Sequence, residues 1–278
     1  DNDIRKVKKH QKGISYIRSI KTNYFKKNPQ RISAKYSILK DCDVIFICLP
    51  TPLKGKRPNL KYIFDCAKNL KPYILPGKLI ILESTVYPGV TRKLKDFFKK
   101  ENLKVGKNIF IGYSPERENP GDKKFSYKTT PKVISGYTDK CLSLVDAVYS
   151  PVVSKRHRAA SLEIAETSKL LENLYRAVNI GLVNELKIIC EKLNIDVFDV
   201  INAAATKNFG FQRFVPGPGW GGHCIPIDPF YLSWVSIQNG YEPKLIKNTG
   251  EINQNMPSWI LKKVLSYFPY EKIKKIKI

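Results

Sequence analysis

The chain has 278 residues, a hydrophobic content of 42% and a formal net charge of +25 at pH 7. This length allows one large or two ordinary domains with buried cores, and the hydrophobic content excludes a disordered chain. The longest apolar runs fall short of the roughly 18 residues that a membrane-spanning helix needs, which excludes an integral membrane protein.

The positive charge raises the alternative of a nucleic-acid-binding protein, because a basic surface is the usual electrostatic footprint of phosphate binding. The lysines, however, are spread over the whole length, and the sequence contains no zinc finger, recognition helix or RNA-binding signature. We therefore expect a lysine-rich solvated surface and no nucleic-acid partner. A salt-dependence titration with DNA separates the two interpretations.

The cysteines and the N-terminus bear on the cellular compartment. Six cysteines are widely spaced without a C-x-x-C pair, and only three histidines accompany them, so we expect no metal site. The N-terminal residues are polar and charged, which gives no indication of a signal peptide. These features predict a cytoplasmic protein with reduced thiols and no membrane partner.

The first half of the chain alternates between strand and helix patterns. The predicted strands span residues 43–49, 78–83, 108–112 and 132–135, and the predicted helices span residues 59–75, 88–100 and 138–148. Continuous apolar runs such as DVIFICL at 43–49 are typical of buried parallel strands. The alternation predicts an α/β fold with a Rossmann-like, doubly wound parallel sheet. Ligands bind such sheets at the carboxyl ends of the strands, where Thr51, Thr85 and residues 113–116 fall.

The second half is helical. Residues 159–193 predict one long helix, whose apolar stripe is too long to be buried within a small unit. Shorter helices are predicted at residues 196–205, 228–239 and 256–267. We expect a central all-helical dimerisation domain, and hence a homodimer. The predicted domains are residues 1–153, 154–255 and 256–278.

Cys224 lies in the run PGPGWGGHCIPIDPFYLSW, residues 216–234. Glycines at 219, 221 and 222 allow a tight turn and the close approach of a ligand. A thiol at such a turn before a helix is stabilised as thiolate by backbone N–H groups and the helix dipole, and Asp228 follows four residues later. The alternative is an inert buried cysteine. The density of glycine and proline and the nearby carboxylate favour a nucleophile.

The same run resembles the active-site segment of the UDP-glucose/GDP-mannose dehydrogenase family, most closely its UDP-N-acetylglucosamine 6-dehydrogenase branch. The resemblance covers nearly the whole chain, least securely residues 19–37. It implies NAD as cofactor and a UDP-sugar as substrate, UDP-N-acetylglucosamine first, with UDP-N-acetylmannosamine or UDP-glucose as alternatives. A non-catalytic nucleotide-binding dimerisation module is the alternative from another class.

Oxidation of an alcohol to a carboxylate removes four electrons, so it needs two hydride transfers, and a thiol can hold the aldehyde between them. The resemblance implies a role for each of six residues. Cys224 is the nucleophile, Lys169 and Asn173 stabilise the oxyanion, and Asp228 works with the lysine in proton transfer. Glu116 is the general base that hydrolyses the thioester, and Thr85 positions water. Some relatives carry a second glutamate where this chain has Pro120.

The resemblance also implies binding residues. Asp1 resembles the acidic residue that bonds the cofactor ribose, and Thr51, Thr85 and the neighbouring residues 83–85 are expected along the cofactor. The expected substrate contacts are Tyr113, Ser114, Pro115, Glu116, Lys207, Arg213, Phe214, Gly219 and Gly221. The strand and GxGxxG loop that precede the acidic residue in the family are absent, and residues 272–278 resemble the start of a further domain. We therefore expect a fragment that is inactive alone.

Overall fold

The computed structural model describes residues 1–16, 31–117, 127–222 and 225–268. The chain divides into two compact units. The first comprises Asp1–Thr51 with Asn59–Lys169, and the second comprises Pro52–Pro58 with Leu170–Ile278. Across the described ranges, no helix is both long and apolar enough to cross a membrane. The predicted three-domain division stays a prediction.

A five-stranded sheet with the order β1-β4-β5-β6-β7 forms the centre of the first unit, and β2 and β3 form a separate hairpin in the second unit. The strands are β1 (Val44–Ile47), β2 (Leu53–Lys54), β3 (Arg57–Pro58), β4 (Leu79–Leu82), β5 (Phe110–Tyr113), β6 (Lys132–Gly136) and β7 (Arg156–Arg158). The four predicted strands are therefore present. Strands β1 and β4 are shorter than predicted at both ends, β5 begins two residues later and ends one residue later, and β6 ends one residue later.

The two faces of the sheet are both covered, as the doubly wound prediction requires. Along β4, Ile80 and Leu82 belong to one buried cluster, whereas Leu79 and Ile81 belong to another. Successive side chains of a strand point to opposite faces, so an uninterrupted apolar run is what a strand buried on both sides needs. The Rossmann-like α/β prediction is confirmed.

Two details of the sheet differ from the prediction. Strands β5 and β6 pair antiparallel, with Gly112 opposite Gly136 and Tyr113 opposite Ser135, whereas the other described pairs of this sheet are parallel. An apolar run does not encode strand direction, so the sequence could not reveal this. Phe46 of β1 is 44% exposed, because β1 is the outermost strand on its side of the described sheet.

The α-helices of the described chain are α1 (Ile4–Gln11), α2 (Lys61–Leu70), α3 (Val90–Phe97), α4 (Asp139–Tyr149), α5 (Leu162–Lys192), α6 (Val197–Ala204), α7 (Asp228–Gln238) and α8 (Lys244–Ser266). Short 3₁₀ helices span Tyr36–Asp41 and Lys71–Tyr73. The long predicted helix is confirmed as α5, whose 31 residues extend about 46 Å.

Several helices start at a polar cap. The side chain of Thr138 accepts a hydrogen bond from the N–H of Cys141 before α4, and that of Asp196 accepts one from Phe198 before α6. The helix predicted at 256–267 begins earlier, at Lys244, and Pro257 lies inside it. A proline favours a helix start in sequence, but here the preceding residues 246–256 supply a buried face that continues the helix.

Candidate functional site

The ends of β1 and β4 bring together two residues that were predicted along the cofactor. The Thr51 hydroxyl donates to the carbonyl of Thr85 over 2.8 Å. Beside them, the Ser84 hydroxyl accepts from the N–H of Leu49 at 2.8 Å and lies 3.3 Å from the carbonyl of Ile47. The two loops at this edge are therefore tied together by hydroxyl groups, and their roles along the cofactor stay predictions.

The segment after β5 is more buried than the prediction of a substrate-contacting surface suggests. Tyr113 and Ser114 have no exposed surface, and the Ser114 hydroxyl donates to the carbonyl of Val133 in β6. Pro115 is also buried, whereas the side chain of Glu116 is 47% exposed. Of these four predicted residues, Glu116 is the one whose side chain presents a reactive group to solvent.

A buried lysine faces Glu116 from the neighbouring strand. Lys132 is 4% exposed, and its Nζ lies 3.2 Å from Oε1 of Glu83 and 3.7 Å from Oε2 of Glu116. The same Nζ lies 3.4 Å from the carbonyl of Pro115. One cation thus lies between a nearly buried carboxylate at the end of β4 and an exposed one after β5.

Two further side chains donate hydrogen bonds to the Glu83 carboxylate. The Tyr149 hydroxyl donates to Oε1 of Glu83, and the Cys48 thiol donates to Oε2 at 3.3 Å. Burial, and then the negative charge of Glu83, raise the pKa of Cys48 to about 12. The same two causes raise the pKa of Tyr149 above its ordinary value. Both groups are therefore neutral near pH 7, and Cys48 is a poor nucleophile.

The sequence did not predict that Lys132, Tyr149 and Cys48 contact the carboxylates at the carboxyl ends of β4 and β5. Their positions give a partial signal: Cys48 lies near the end of a predicted strand, and Lys132 is a lone charge at the start of another. The missing information was the antiparallel direction of β6, which brings the start of that strand to the carboxyl ends of β4 and β5. Tyr149, at the end of α4, gives no sequence signal.

A cavity of about 260 Å³ adjoins the predicted ribose-binding residue Asp1. It is lined by Asp1, Arg31, Ile32, Ser33, Ile38, Leu39 and Cys42. A carboxylate beside apolar walls fits an adenosine group, which combines hydroxyls with a flat, weakly polar ring. The lining residues thus fit the adenosine end of a dinucleotide, and the contact of Asp1 with ribose stays a prediction.

In the second unit, Asn173 and Asp228 lie in contact although 55 residues separate them. Nδ2 of Asn173, on α5, donates to Oδ2 of Asp228 at the start of α7. The two residues are 5% and 4% exposed. A buried carboxylate is costly without partners, so this amide supports Asp228 directly. The resemblance of the sequence to the family had predicted both residues in one catalytic site, and in the structure their side chains are in contact.

Lys169 lies four residues before Asn173 on the same continuous helix, α5. Residues four apart occupy one face of a helix, so the predicted pairing along the helix is met. Lys169 is partly exposed, in contrast to the buried Asn173. Its predicted part in oxyanion stabilisation stays a prediction.

The glycine-rich segment before Cys224 adopts the backbone that its composition predicts. Gly219, Gly221 and Gly222 have φ angles of 95°, 58° and 74°, which side-chain-bearing residues rarely adopt. A Cβ at Gly219 would lie 2.7 Å from the carbonyl oxygen of Asn253, so the close approach there is to protein. Around Gly221 and Gly222 there is open space. Cys224 lies outside the described residues.

Buried amides hold this segment against two helices. Oδ1 of Asn184, on α5, accepts from the N–H of Gly217 at 2.9 Å, and its Nδ2 donates to Oδ1 of Asn253 at 2.8 Å. Nδ2 of Asn253 in turn lies 2.9 Å from the carbonyl of Thr249 and 3.3 Å from that of Ala177. Both asparagines are at most 1% exposed, so the network is a buried support for the glycine-rich segment.

The remaining predicted substrate residues lie just before that segment. Phe214 packs against the small buried cluster of Val183, Cys190, Val197 and Ile201, and its ring meets that of Tyr175 edge to face. Nη2 of Arg213 lies 3.2 Å from Oδ1 of Asn202, and Nζ of Lys207 lies 4.6 Å from the ring centre of Phe209. Phe214 is thus an anchor of the fold, and the substrate contacts of all three residues stay predictions.

A second buried carboxylate lies at the start of α5. Glu166 is fully buried and accepts from the N–H groups of Gly89 and Thr91 at the start of α3, over 2.6 and 2.8 Å. Burial raises its pKa to about 7, against the lowering effect of these N–H groups. Next to it, the Arg92 guanidinium lowers the pKa of Glu163 to about 2. These contacts join α3 and the first turns of α5 within the first unit.

The chain matches two parts of one protein family. Residues 1–153 match the UDP-glucose/GDP-mannose dehydrogenase family, NAD binding domain, and residues 163–255 match the same family's central domain. The first match confirms NAD as the predicted cofactor. The second match contains the Asn173–Asp228 contact and the glycine-rich segment.

Individual relatives agree with these matches. Protein CapL of Staphylococcus aureus is 40% identical over 265 residues, covering 90% of this chain. The UDP-N-acetyl-D-glucosamine 6-dehydrogenase of Pseudomonas aeruginosa is 37% identical over 231 residues, covering 82% of this chain. The solved structure of UDP-D-ManNAc dehydrogenase from Pyrococcus horikoshii superposes with a TM-score of 0.87 over 96% of this chain, at 28% identity. The chain spans 62%, 54% and 64% of these three proteins, respectively.

Proposed function

The chain belongs to the UDP-glucose/GDP-mannose dehydrogenase family, and on this premise we propose that it forms part of an NAD-dependent UDP-sugar 6-dehydrogenase. The reaction is the four-electron oxidation of the C6 hydroxyl to the carboxylate of a uronic acid. The observation that carries this proposal is the buried contact between Asn173 and Asp228 beside the glycine-rich segment that leads to Cys224.

UDP-N-acetylglucosamine is the proposed substrate. The relative in Pseudomonas aeruginosa is named for that sugar. The run at residues 216–234, which resembles the UDP-N-acetylglucosamine 6-dehydrogenase branch of the family, supports the same choice. UDP-N-acetylmannosamine is the closest alternative, because the structural neighbour from Pyrococcus horikoshii is named for it. UDP-glucose, the sugar in the family's name, is the third candidate.

The proposed chemistry separates the two oxidations by a covalent intermediate. The C6 alcohol first loses a hydride from carbon and a proton from oxygen to give the aldehyde. The Cys224 thiolate then adds to that carbon, and loss of a second hydride converts the thiohemiacetal into a thioester. Bound NAD supplies the hydride acceptor, two equivalents for each sugar. Attack by water on the thioester releases the carboxylate and the thiol.

The amide and carboxylate pair suits the first steps. The Asn173 amide, on α5, donates a hydrogen bond to Asp228 at the start of α7, and this contact restrains both side chains. Lys169, one turn earlier on α5, is the proposed cation for the developing oxyanion. A preorganised donor of this kind contributes about 10²–10³ in kcat, because it acts where charge develops. Asp228 and Lys169 together are the proposed route for the alcohol proton.

Glu116 suits the hydrolytic step. Its carboxylate is half exposed, so water can reach it, whereas the neighbouring Glu83 carboxylate is nearly buried. As general base, Glu116 removes one proton from the attacking water while the water oxygen bonds to the thioester carbon. Thr85, at the end of β4, is the proposed group that positions this water. Pro120 replaces a second glutamate, so a single base is proposed.

The test compares acid formation by variants of the full-length protein. Cys224→Ala should abolish uronic acid formation from UDP-N-acetylglucosamine and NAD, whereas Cys66→Ala on α2 should leave it nearly unchanged. Glu116→Gln should accumulate a thioester on Cys224, visible as an adduct in intact-protein mass spectrometry. Normal acid formation by Cys224→Ala would refute the mechanism, and UDP-sugar binding without turnover would favour a non-catalytic module.

A homodimer is the proposed assembly. Along α5 and the residue that follows it, an apolar stripe within the second unit is exposed: Leu171, Tyr175, Leu182, Ile189 and Leu193 are 48–61% exposed. Their spacing of 4, 7, 7 and 4 residues keeps them along one side of the helix, and a second copy of the stripe is a matching apolar partner. Leu182→Glu should convert dimers to monomers in sedimentation, and the equally exposed Leu245→Glu on α8 is its control.

The cytoplasm is the proposed location. A thiol nucleophile needs a reducing compartment, and the described cysteines are all free thiols. Fractionation of cells that express a tagged protein tests this, and recovery with secreted material would contradict it.

A further inference from the structure

Lys132 is a buried cation that the proposed reaction does not yet use. It is the first residue of β6, and because β6 runs antiparallel to β5, this residue lies at the edge where β4 and β5 end. It is 4% exposed. A lysine is rarely buried to this degree unless it is paired, so its partners indicate what it is for.

The partners of Lys132 connect the ends of two strands. Its Nζ lies 3.2 Å from Oε1 of Glu83, 3.4 Å from the carbonyl oxygen of Pro115 and 3.7 Å from Oε2 of Glu116. Aromatic rings close the cluster, since the ring centres of Tyr127 and Tyr149 each lie 5.0 Å from Nζ. The ammonium group is therefore restrained from several sides.

We propose that Lys132 is a positioning residue that holds the Glu116 carboxylate in place for the hydrolytic step. This inference rests on the proposed function in taking Glu116 as the general base. Glu83 and Lys132 together form a fixed platform, and Glu116 is the exposed member that the platform orients.

The two oxygens of Glu116 are restrained differently. Oε1 accepts from the N–H of Arg117 at 2.8 Å, whereas Oε2 faces the Lys132 ammonium. A carboxylate held by a hydrogen bond at one oxygen can still turn about that contact, so a cation at the other oxygen selects a single orientation of the group.

The platform itself is fixed by neutral donors. Tyr149 and Cys48 each donate a proton to Glu83, so this carboxylate cannot swing away from Lys132. The pKa of Cys48 is raised to about 12, and that of Tyr149 is raised as well, so both donors keep their protons near pH 7. The carboxylates that face Nζ among the described residues are those of Glu83 and Glu116.

In the hydrolytic step, water gives one proton to Glu116 and its oxygen bonds to the thioester carbon, while the sulfur leaves as thiolate. Lys132 exchanges no proton in this step. Its loss should reduce kcat and leave KM nearly unchanged, because Lys132 acts through the base and does not bind the sugar. We expect kcat to fall about 10-fold to 100-fold, within the range that general-base catalysis contributes.

The experiment compares variants of the full-length protein. Lys132→Met removes the cation, Lys132→Arg keeps it, and Lys155→Met removes an equal charge from an exposed position nearby. Of these three variants, only Lys132→Met should lower kcat, with KM nearly unchanged. In a Glu116→Gln background, Lys132→Met should cause no further loss. A further loss of the same size there would overturn the proposal.

Because Lys132→Met leaves Glu83 uncompensated, a second variant guards against misfolding. Lys132→Met combined with Glu83→Gln removes both charges, and the glutamine carbonyl oxygen retains an acceptor for the Tyr149 proton. This double variant should fold and should show the same fall in kcat as Lys132→Met. A folded double variant with unchanged kcat would refute a positioning role for Lys132.

A measurement without substrate separates this inference from the proposed function. The order of the Glu116 side chain can be measured by NMR relaxation of its Cγ methylene group in wild type and in the double variant, with Glu116→Gln to assign the signal. This order should fall when the cation that restrains Oε2 is removed. Unchanged order overturns the Lys132 proposal. Reduced order with unchanged kcat refutes the role of Glu116 instead.

Discussion

The two units of the chain bury polar groups by opposite means. At the sheet edge of the first unit, Lys132 and Glu83 are charges that neutralise one another in a nearly dry setting. In the second unit, Asn184 and Asn253 are neutral amides that satisfy one another and a backbone N–H. Both arrangements support a segment with a proposed role in the reaction, namely the loop of Glu116 and the glycine-rich run before Cys224.

This difference has consequences for how each region responds to pH. Buried charges carry a large desolvation cost, so their contribution to stability depends on protonation state. Amides do not titrate, so the stability they contribute is constant across the physiological range. The charged edge can therefore tune a base, whereas the amide network serves to hold a backbone. Three measurements test the contrast, beginning with the largest expected effect.

Asn184→Ala should destabilise the second unit strongly. The change removes two hydrogen bonds and leaves the N–H of Gly217 and Oδ1 of Asn253 without this partner in a buried setting. Unsatisfied buried groups cost about 1–3 kcal/mol each, so we expect a loss of about 2–4 kcal/mol in the free energy of unfolding. Urea denaturation at pH 6 and at pH 8 should give the same loss, since no ionising group is involved.

Asn179→Ala provides the control on the same helix. The Asn179 amide donates to the carbonyl of Tyr175 at an exposed position, so its removal should cost less than about 0.5 kcal/mol. A cost for Asn184→Ala that is no larger than that of Asn179→Ala, or one that changes with pH, would show that the network does not hold the segment as described.

Glu166 should make the first unit less stable as pH rises. The folded-state pKa is about 7 and the unfolded value is 4.5, so the folded chain binds the extra proton between these values. The stability from this group is complete below pH 4.5 and is lost as pH rises through 7. The 2.5-unit difference corresponds to at most about 3 kcal/mol. In Glu166→Gln this pH dependence should disappear, as measured by urea denaturation from pH 5 to pH 8.

Glu163→Gln is the matched control, because the neighbouring carboxylate is shifted in the opposite direction. Its pKa is lowered to about 2 by Arg92, so its contribution is present above pH 4.5 and is constant from pH 5 to pH 8. The difference between wild type and Glu163→Gln should therefore not change in this window. Parallel stability curves for wild type and Glu166→Gln would show that Glu166 remains ionised in the folded chain.

The features that the sequence predicts depend on neighbouring residues, whereas those it does not predict depend on residues distant in the sequence. The apolar run at 78–83 predicted β4, and the long uninterrupted pattern predicted α5, because both signals are local. The helix predicted to begin at residue 256 begins instead at Lys244, since the buried face of the preceding turns outweighs the N–H that Pro257 lacks. Local patterns thus identified the elements and left some of their ends in error.

The contacts of the candidate site likewise separate into those that the sequence predicted and those that depend on the tertiary structure. Asn173 and Asp228 were placed together by resemblance to a family, and their contact across 55 residues confirms that they meet. The contact between Lys132 and Glu83 depends on strand direction, which neither composition nor periodicity encodes. The amide network depends on three elements meeting at Asn184, and no local signal distinguishes this asparagine from exposed ones on the same helix.

The smallest expected effect concerns Cys48, the thiol of the charged edge. Its pKa of about 12 arises first from burial and then from the charge of Glu83, so Glu83→Gln removes the second cause and keeps the first. The alkylation rate of Cys48 by iodoacetamide at pH 8 should rise about 10-fold, the effect of lowering a pKa by about one unit. Mass spectrometry of the modified peptide measures this rate, with the urea-unfolded chain as the upper reference.

When Lys132→Met is added, the rate should fall back toward wild type, because the lysine charge favours the thiolate. A rate unchanged by Glu83→Gln would mean that burial alone protects the thiol, and that the charges of this edge act on Glu116 without reaching Cys48.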